Sequence, residues 1–192
     1  MIEIKVPARI CFYGDHQDYL GLPVIAGTID RFINLRATQN PNREYLLKLL
    51  DLNEETSISL DDDLKAIRPD DYFRSVMSVL KQQGFQFDKG YDIEISGNIP
   101  VNAGLSSSSA LVVAWIRFLV ATQGKSEEIS DYQIGRWAYE AEVLFFDQPG
   151  GLMDQYTIAQ KGLIYIDTKS GESTRLNAHL GKLLVAESGV PK

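Results

Sequence analysis

Cysteine is almost missing from this chain: Cys11 is the only one in 192 residues. No intramolecular disulfide can form, so a disulfide-stapled secreted scaffold is excluded and a reducing compartment is compatible. Histidine is nearly as scarce, with His16 and His179 alone, which leaves too few imidazole and thiolate ligands for a zinc centre. No apolar run reaches the about 20 residues that a membrane-spanning helix needs, since the most apolar stretch, Ala110 to Val120, is broken by Arg117. The start, Met1-Ile2-Glu3-Ile4-Lys5, lacks the apolar core of a secretory signal. Basic residues are outnumbered, 19 Lys and Arg against 26 Asp and Glu for a formal charge of -7, and they form no cluster. A broad grip on nucleic acid is therefore not expected, and an anionic ligand would have to be held locally. These absences predict a cytoplasmic chain with no membrane and no nucleic-acid partner.

The residues present are enough for one core or at most two: 44% are hydrophobic and 10% aromatic. Alternation and short apolar runs predict strands over 2–6, 9–13, 32–38, 56–60, 91–96, 163–167 and 183–186. Tyr72, Val76, Val79 and Leu80 recur at helical spacing after Pro69-Asp70, and Gly84 offers a left-handed end. A second helix starts in the serine run and continues to about Thr122, apolar almost all round and therefore buried on most faces, with Gly124 as its stop. A third begins at Ser130-Asp131-Tyr132-Gln133, which fits a capping box, and carries the stripe Ile134, Trp137, Ala138, Ala141 and Phe145 to about Phe146. A hairpin is expected around Lys169-Ser170-Gly171. Interleaved strands and helices predict an α+β fold or a mixed-sheet α/β layer structure, in either case a mixed β-sheet with packed helices. No repeat, low-complexity tract or linker interrupts it.

Pro100-Val101-Asn102-Ala103-Gly104-Leu105-Ser106-Ser107-Ser108-Ser109-Ala110 lies between a predicted strand and the most buried helix. Gly104 permits close backbone approach, the serines are small, and the following helix aims free N–H groups and its positive dipole end at that point. A serine hydroxyl there could also ligate Mg²⁺. This segment holds neither Gly-Lys-Ser/Thr nor the three spaced glycines of a dinucleotide loop, so any phosphate cradle in it belongs to another class. On the loop alone two readings stand, a phosphate cradle or a polar loop and helix cap.

The wider pattern carries a resemblance. Pro-x3-Gly-Leu-x-Ser-Ser-x-Ala, matched from Pro100 to Ala110, resembles the central signature of the GHMP kinases. Pro7-Ala8-Arg9-Ile10-Cys11-Phe12-Tyr13-Gly14-Asp15-His16-Gln17-Asp18-Tyr19-Leu20-Gly21 is similar to the galactokinase signature, in which a Pro-Gly-Arg strand leads into Gly-Glu-His-Thr-Asp-Tyr. Glu142 with Pro149-Gly150-Gly151-Leu152-Met153-Asp154-Gln155 resembles the galactokinase stretch that ends in Pro-Cys-Gly-Ile-Met-Asp-Gln. The resemblance implies a ribosomal-protein-S5 domain 2-like domain that transfers the γ-phosphate of ATP to a sugar hydroxyl at the anomeric position. It implies ATP binding by Gly104, Leu105, Ser106, Ser107, Ser108, Ser109 and Ala110, and Mg²⁺ held by Ser108 and Glu142. Asp154 matches the family's proposed base and Arg9 its electrostatic partner. Asp15, His16 and Asp18 match its sugar contacts.

Each residue also has a duller reading: Asp154 as a helix cap, Glu142 as an exposed surface charge, Asp15 and Asp18 as turn formers, Arg9 as a surface charge. The Asp61-Asp62-Asp63 run has no such context and reads as a solvated turn. Departures from galactokinase include Ala8, Cys11, Asp15, Gln17, Asp147 and Gly150 in place of Gly, Asn, Glu, Thr, Gly and Cys. Asp15 shortens a predicted sugar contact by a methylene, which puts galactose itself in question and leaves another hexose, a uronic acid, a heptose phosphate or an N-acetylated sugar open. Full kinases of this type carry a second domain, so the chain, ending at Ser188-Gly189-Val190-Pro191-Lys192, is expected to be the N-terminal domain alone. An apolar surface left uncovered would then promote self-association. Competing expectations are a non-catalytic sugar or nucleotide sensor, an inactive isolated fragment, and a mevalonate-type kinase or related decarboxylase, which lack the Gly-Asp/Glu-His-x-Asp-Tyr segment.

Overall fold

The helix that the sequence makes apolar on nearly every side is the one around which the chain packs. In the computed structural model, which describes residues 1–100, 104–178 and 181–184, this helix, α2 (Ser107–Thr122), buries Ala110, Val112 to Ile116 and Phe118 to Val120. Trp115 at its centre stacks near Phe118, meets Tyr45 and Phe73 edge-on, and donates its indole N–H to the Phe73 carbonyl at 3.0 Å. A fully buried indole needs such an acceptor.

Beneath the helices lies one mixed sheet. Its spine is β2 (Val24–Asn40), paired antiparallel along one edge with β1 (Ile2–Tyr13). On the other edge, residues 33–40 pair with β5 (Gly90–Gly97) and residues 24–27 with β6 (Leu163–Ile166). The sheet continues through β3 (Glu44–Leu49), parallel to β5, to β4 (Glu54–Ser59), and at its other end to β7 (Ser173–Arg175). The expected late hairpin is the β6–β7 pair, with Gly171 at φ +75 in the turn. The remaining helices are α1 (Tyr72–Gln82), α3 (Asp131–Glu142) and α4 (Met153–Gln160). Helices α2 and α4 lie on β1 and β2, and α1 and α3 pack against them. The predicted α+β class with a mixed sheet is the observed one.

Several boundaries differ from expectation for identifiable reasons. The segments 2–6 and 9–13 form one strand, because a register shift between Pro7 and Ala8 absorbs the missing proline N–H without ending the pairing. The strand β3 has no counterpart in the expected set: Tyr45, Leu47 and Leu49 share the core face, but Leu46 on the opposite face blurs the alternation. Helix α3 ends at Glu142, and Leu144–Phe146 forms a separate 3-10 turn closed by Asp147 in the left-handed region. Ser130 accepts from the Gln133 N–H at 3.2 Å, as a capping box requires. The Asp61 to Asp63 run is a turn, but Asp61 and Asp62 also pair with Arg43 and Arg74. Leu183 and Leu184 form no strand. Val101, Asn102, Ala103, His179, Val185, Ala186 and the Ser188-Gly189-Val190 segment lie outside the described residues. Among the described residues no helix is long and apolar enough to cross a membrane.

Candidate active site

The fold brings three distant segments to one place. Arg9 stands in the second half of β1, Ser106 at the start of α2 and Asp154 in the first turn of α4. Arg9 Nε and Nη2 donate to Asp154 Oδ1 and Oδ2 at 2.6 and 2.7 Å, a two-point grip across 145 residues. Such fork-to-carboxylate pairs hold orientation as well as charge. Nη1 donates to the Gly104 carbonyl at 2.8 Å, so the same guanidinium also fastens the glycine-serine loop. The arginine side chain is only 11% exposed. Burial opposes its charge, and the hydrogen bond and negative charge of Asp154 outweigh that, leaving its pKa raised. The surface-charge reading of Arg9 is thus set aside.

Ser106 completes this ring. Its backbone adopts φ 56, ψ 52, in the left-handed region, and its side chain caps no N–H of α2. The hydroxyl donates instead to Asp154 Oδ2. Asp154 is likewise no cap: Leu152 occupies the N-cap of α4 and provides no side-chain bond. The free N–H of Met153 is taken by Asp18 Oδ2 at 3.3 Å, from the loop after β1. That carboxylate lies directly over Gly151, where a side chain would overlap it.

Glu142 ends α3 and is 7% exposed. Gln155 Nε2 donates to its Oε2 at 2.7 Å. Burial pushes the Glu142 carboxyl above the usual range, hydrogen bonds from Gln155, Ser109 and Ser108 hold it down, and the charge of Asp154 raises it further. Its partners are neutral, and no ion pair reaches it among the described residues. The exposed-glutamate reading therefore fails. Tyr72, whose hydroxyl is pushed up to about 12 by burial and by Glu142 and Asp70, completes that wall.

Arg9, Tyr72, Glu142, Gly151, Met153, Asp154 and Gln155 line one open cavity of about 310 Å³, together with Asp15, His16, Asp18, Tyr19, Ser108 and Gly150. Asp15 and His16 are exposed at its rim, 3.7 Å apart. The structure thus gathers Arg9, Asp154, Glu142, Ser108, Ser109, Asp15, His16 and Asp18 around one cavity, with Gly104 and Ser106 reaching it through Arg9 and Asp154. Leu105 and Ala110 are buried beneath the loop and support it from the core. Sequence reasoning assigned no role to Gln155, Tyr72 or Gly151. The Met-Asp-Gln run marked the neighbourhood of Gln155, but nothing local shows that its amide meets Glu142.

Chemically, this is a cavity lined by small hydroxyl side chains from the start of a helix, a carboxylate held by an arginine and a serine, and polar side chains at its rim. The description of the family model that matches residues 71–162 is GHMP kinases N terminal domain. The chain thus carries a GHMP kinase N-terminal domain.

It is 29% identical over 174 residues to a galactokinase of Thermotoga neapolitana, an alignment covering 89% of this chain and 48% of that protein. The chain spans about half the length of the curated relatives it matches. Among solved structures, Methanococcus jannaschii mevalonate kinase superposes with a TM-score of 0.79 at 23% identity, covering 92% of this chain and 56% of that one. Lactococcus lactis galactokinase complexed with galactose gives 0.76 at 21%, covering 90% and 46%. Those two likenesses establish the fold.

Proposed function

We propose that this chain is the ATP-binding part of a sugar kinase that transfers the γ-phosphate of ATP to a sugar hydroxyl, at the anomeric position. The observation that carries the reading is Asp154, clasped by Arg9 and Ser106 and facing the same cavity as the start of α2 and Glu142. Phosphoryl transfer asks mainly for charge neutralisation and alignment of an attacking oxygen. The N–H groups at the start of α2 donate to phosphate oxygens. Asp15 and His16 take sugar hydroxyls at the rim, and Asp18, already tied to Met153, offers its remaining lone pairs.

Two hydrogen bonds from Arg9 and one from Ser106 hold the Asp154 carboxylate in a fixed orientation. Asp154 therefore orients the acceptor hydroxyl and takes its proton late, as the new O–P bond forms and the bond from the γ-phosphorus to the ADP oxygen breaks. Arg9 keeps the carboxylate in place throughout.

Glu142 and Ser108 fit a divalent cation on the structure's own terms. A buried carboxylate whose partners are all neutral favours a positive charge beside it, and two protein oxygens suit Mg²⁺, which fills its shell with water and substrate phosphates. When bound, Mg²⁺ would neutralise charge on the phosphates.

The Gly14-Asp15-His16-Gln17-Asp18-Tyr19 loop favours a polyhydroxylated acceptor over mevalonate. The test is calorimetric titration with Mg·ATP followed by a radiolabel transfer assay over galactose, an N-acetylated hexosamine, a uronic acid, a heptose phosphate and mevalonate. One sugar should be phosphorylated, and Asp154→Asn should lower turnover by about 10² to 10⁴. Transfer to mevalonate alone would overturn the sugar reading, and nucleotide binding without any transfer would mark a non-catalytic homologue.

A further inference from the structure

Gln155 follows Asp154 on α4 and is 3% exposed, yet it carries an amide where an apolar side chain would fill the space. Its Nε2 donates to Glu142 Oε2 at 2.7 Å and lies 3.5 Å from the Ser109 hydroxyl. Chemistry fixes this orientation, because the reversed amide would set its oxygen against a carboxylate oxygen. The consequence is that Gln155 Oε1 is buried with no hydrogen-bond partner among the described residues. Buried acceptors are rarely left so unless something that visits the site completes them.

We propose that Gln155 is the positioning residue of a divalent-cation site built on Glu142 and Ser108. Its N–H pins one carboxylate oxygen and so sets the plane of Glu142. Its orphaned oxygen is left to accept from a water that the ion carries. Ser109, 1% exposed beside the same amide, buttresses the arrangement. The inference rests on the nucleotide-binding part of the kinase reading, since two protein oxygens need phosphate and water to complete the ion's shell.

Support for a ligating carboxylate commonly changes metal affinity by about ten- to a hundredfold. The experiment measures free Mn²⁺ by electron paramagnetic resonance in the presence of ADP, for the unaltered chain, Gln155→Met and Glu142→Gln. ADP affinity in chelator is measured alongside by calorimetry. Gln155→Met, which conserves volume, should weaken Mn²⁺ binding about ten- to a hundredfold and leave metal-free ADP affinity unchanged.

In case that variant folds poorly, the side-chain amide signals of the unaltered chain are followed by NMR. Substoichiometric Mn²⁺ should broaden the Gln155 signal and spare that of Gln133, at the far end of α3. Mn²⁺ binding that is equal in Gln155→Met, or that leaves the Gln155 signal sharp, overturns the proposal. Uptake of Mn²⁺ without transfer to any sugar would sink the sugar-kinase reading and leave this one standing. No Mn²⁺ uptake with ADP overturns both.

Discussion

Replacing Gly151 with alanine should cost far more than the same change one residue earlier. A Cβ built on Gly151 would overlap Oδ2 and Cγ of Asp18, and even the farther oxygen, Oδ1, would be 2.6 Å away. A Cβ on Gly150 would meet only the Val143 methyls at 3.4 and 3.5 Å, an ordinary contact. The Asp18 carboxylate ends a short side chain and can swing aside, so the cost is not a hard backbone clash. It is the loss of what the carboxylate does: accept the Met153 N–H at the otherwise uncapped start of α4. Losing a helix cap costs about 0.5–2 kcal/mol, and overfilling a packed contact adds about 1 kcal/mol or more.

We therefore expect Gly151→Ala to lose about 2 kcal/mol in urea unfolding, or about 4–8 °C in Tm for a chain of this size. Gly150→Ala should stay within about 0.5 kcal/mol of the parent. The decisive arm is the double variant. Asp18→Ala removes the overlapped atoms, so Gly151→Ala in that background should cost almost nothing. Equal losses with and without Asp18, or a Gly151→Ala chain as stable as Gly150→Ala, would refute the reasoning.

Ser106 sits in the left-handed region, where a non-glycine residue costs about 1–2 kcal/mol. Ser106→Gly should thus be more stable than Ser106→Ala by about 1 kcal/mol in the same denaturation assay, although both lose the hydroxyl bond to Asp154. Asp62 predicts a pH dependence of defined sign. The hydrogen bond from Arg74, helped by the Leu64 N–H, holds its carboxyl below the usual aspartate range. A depressed folded-state value gives stability that is present above the unfolded-state pKa and lost as pH falls through the folded one. The unaltered chain should exceed Asp62→Asn in stability at neutral pH, and urea titrations should show that margin closing below the ordinary aspartate range.

Local pattern was enough for the elements whose environment is uniform along their length. Helix α2 was legible because it is apolar on all sides, a property no tertiary contact has to supply, and Gly124, at φ +68, lies just past its end. The serine loop, the Asp-His-x-Asp segment and the Met-Asp-Gln run stood out as candidate chemistry through their resemblance to a family pattern, since the loop alone left two readings open. What the local pattern could not hold is pairing at a distance. Strand β3 exists because β5 and β4 flank it, not because its own alternation is clean. The grip of Arg9 on Asp154 spans 145 residues and that of Asp18 on Met153 spans 135. Burial likewise comes only from packing: Glu142 has the composition of a surface residue and becomes a buried carboxylate because α3 and α4 close over it with Gln155. Sequence by itself determined which residues are candidates for the chemistry. Tertiary structure decided which of them face one another, because hydrogen-bond geometry and desolvation depend on neighbours that the chain brings from far along its length.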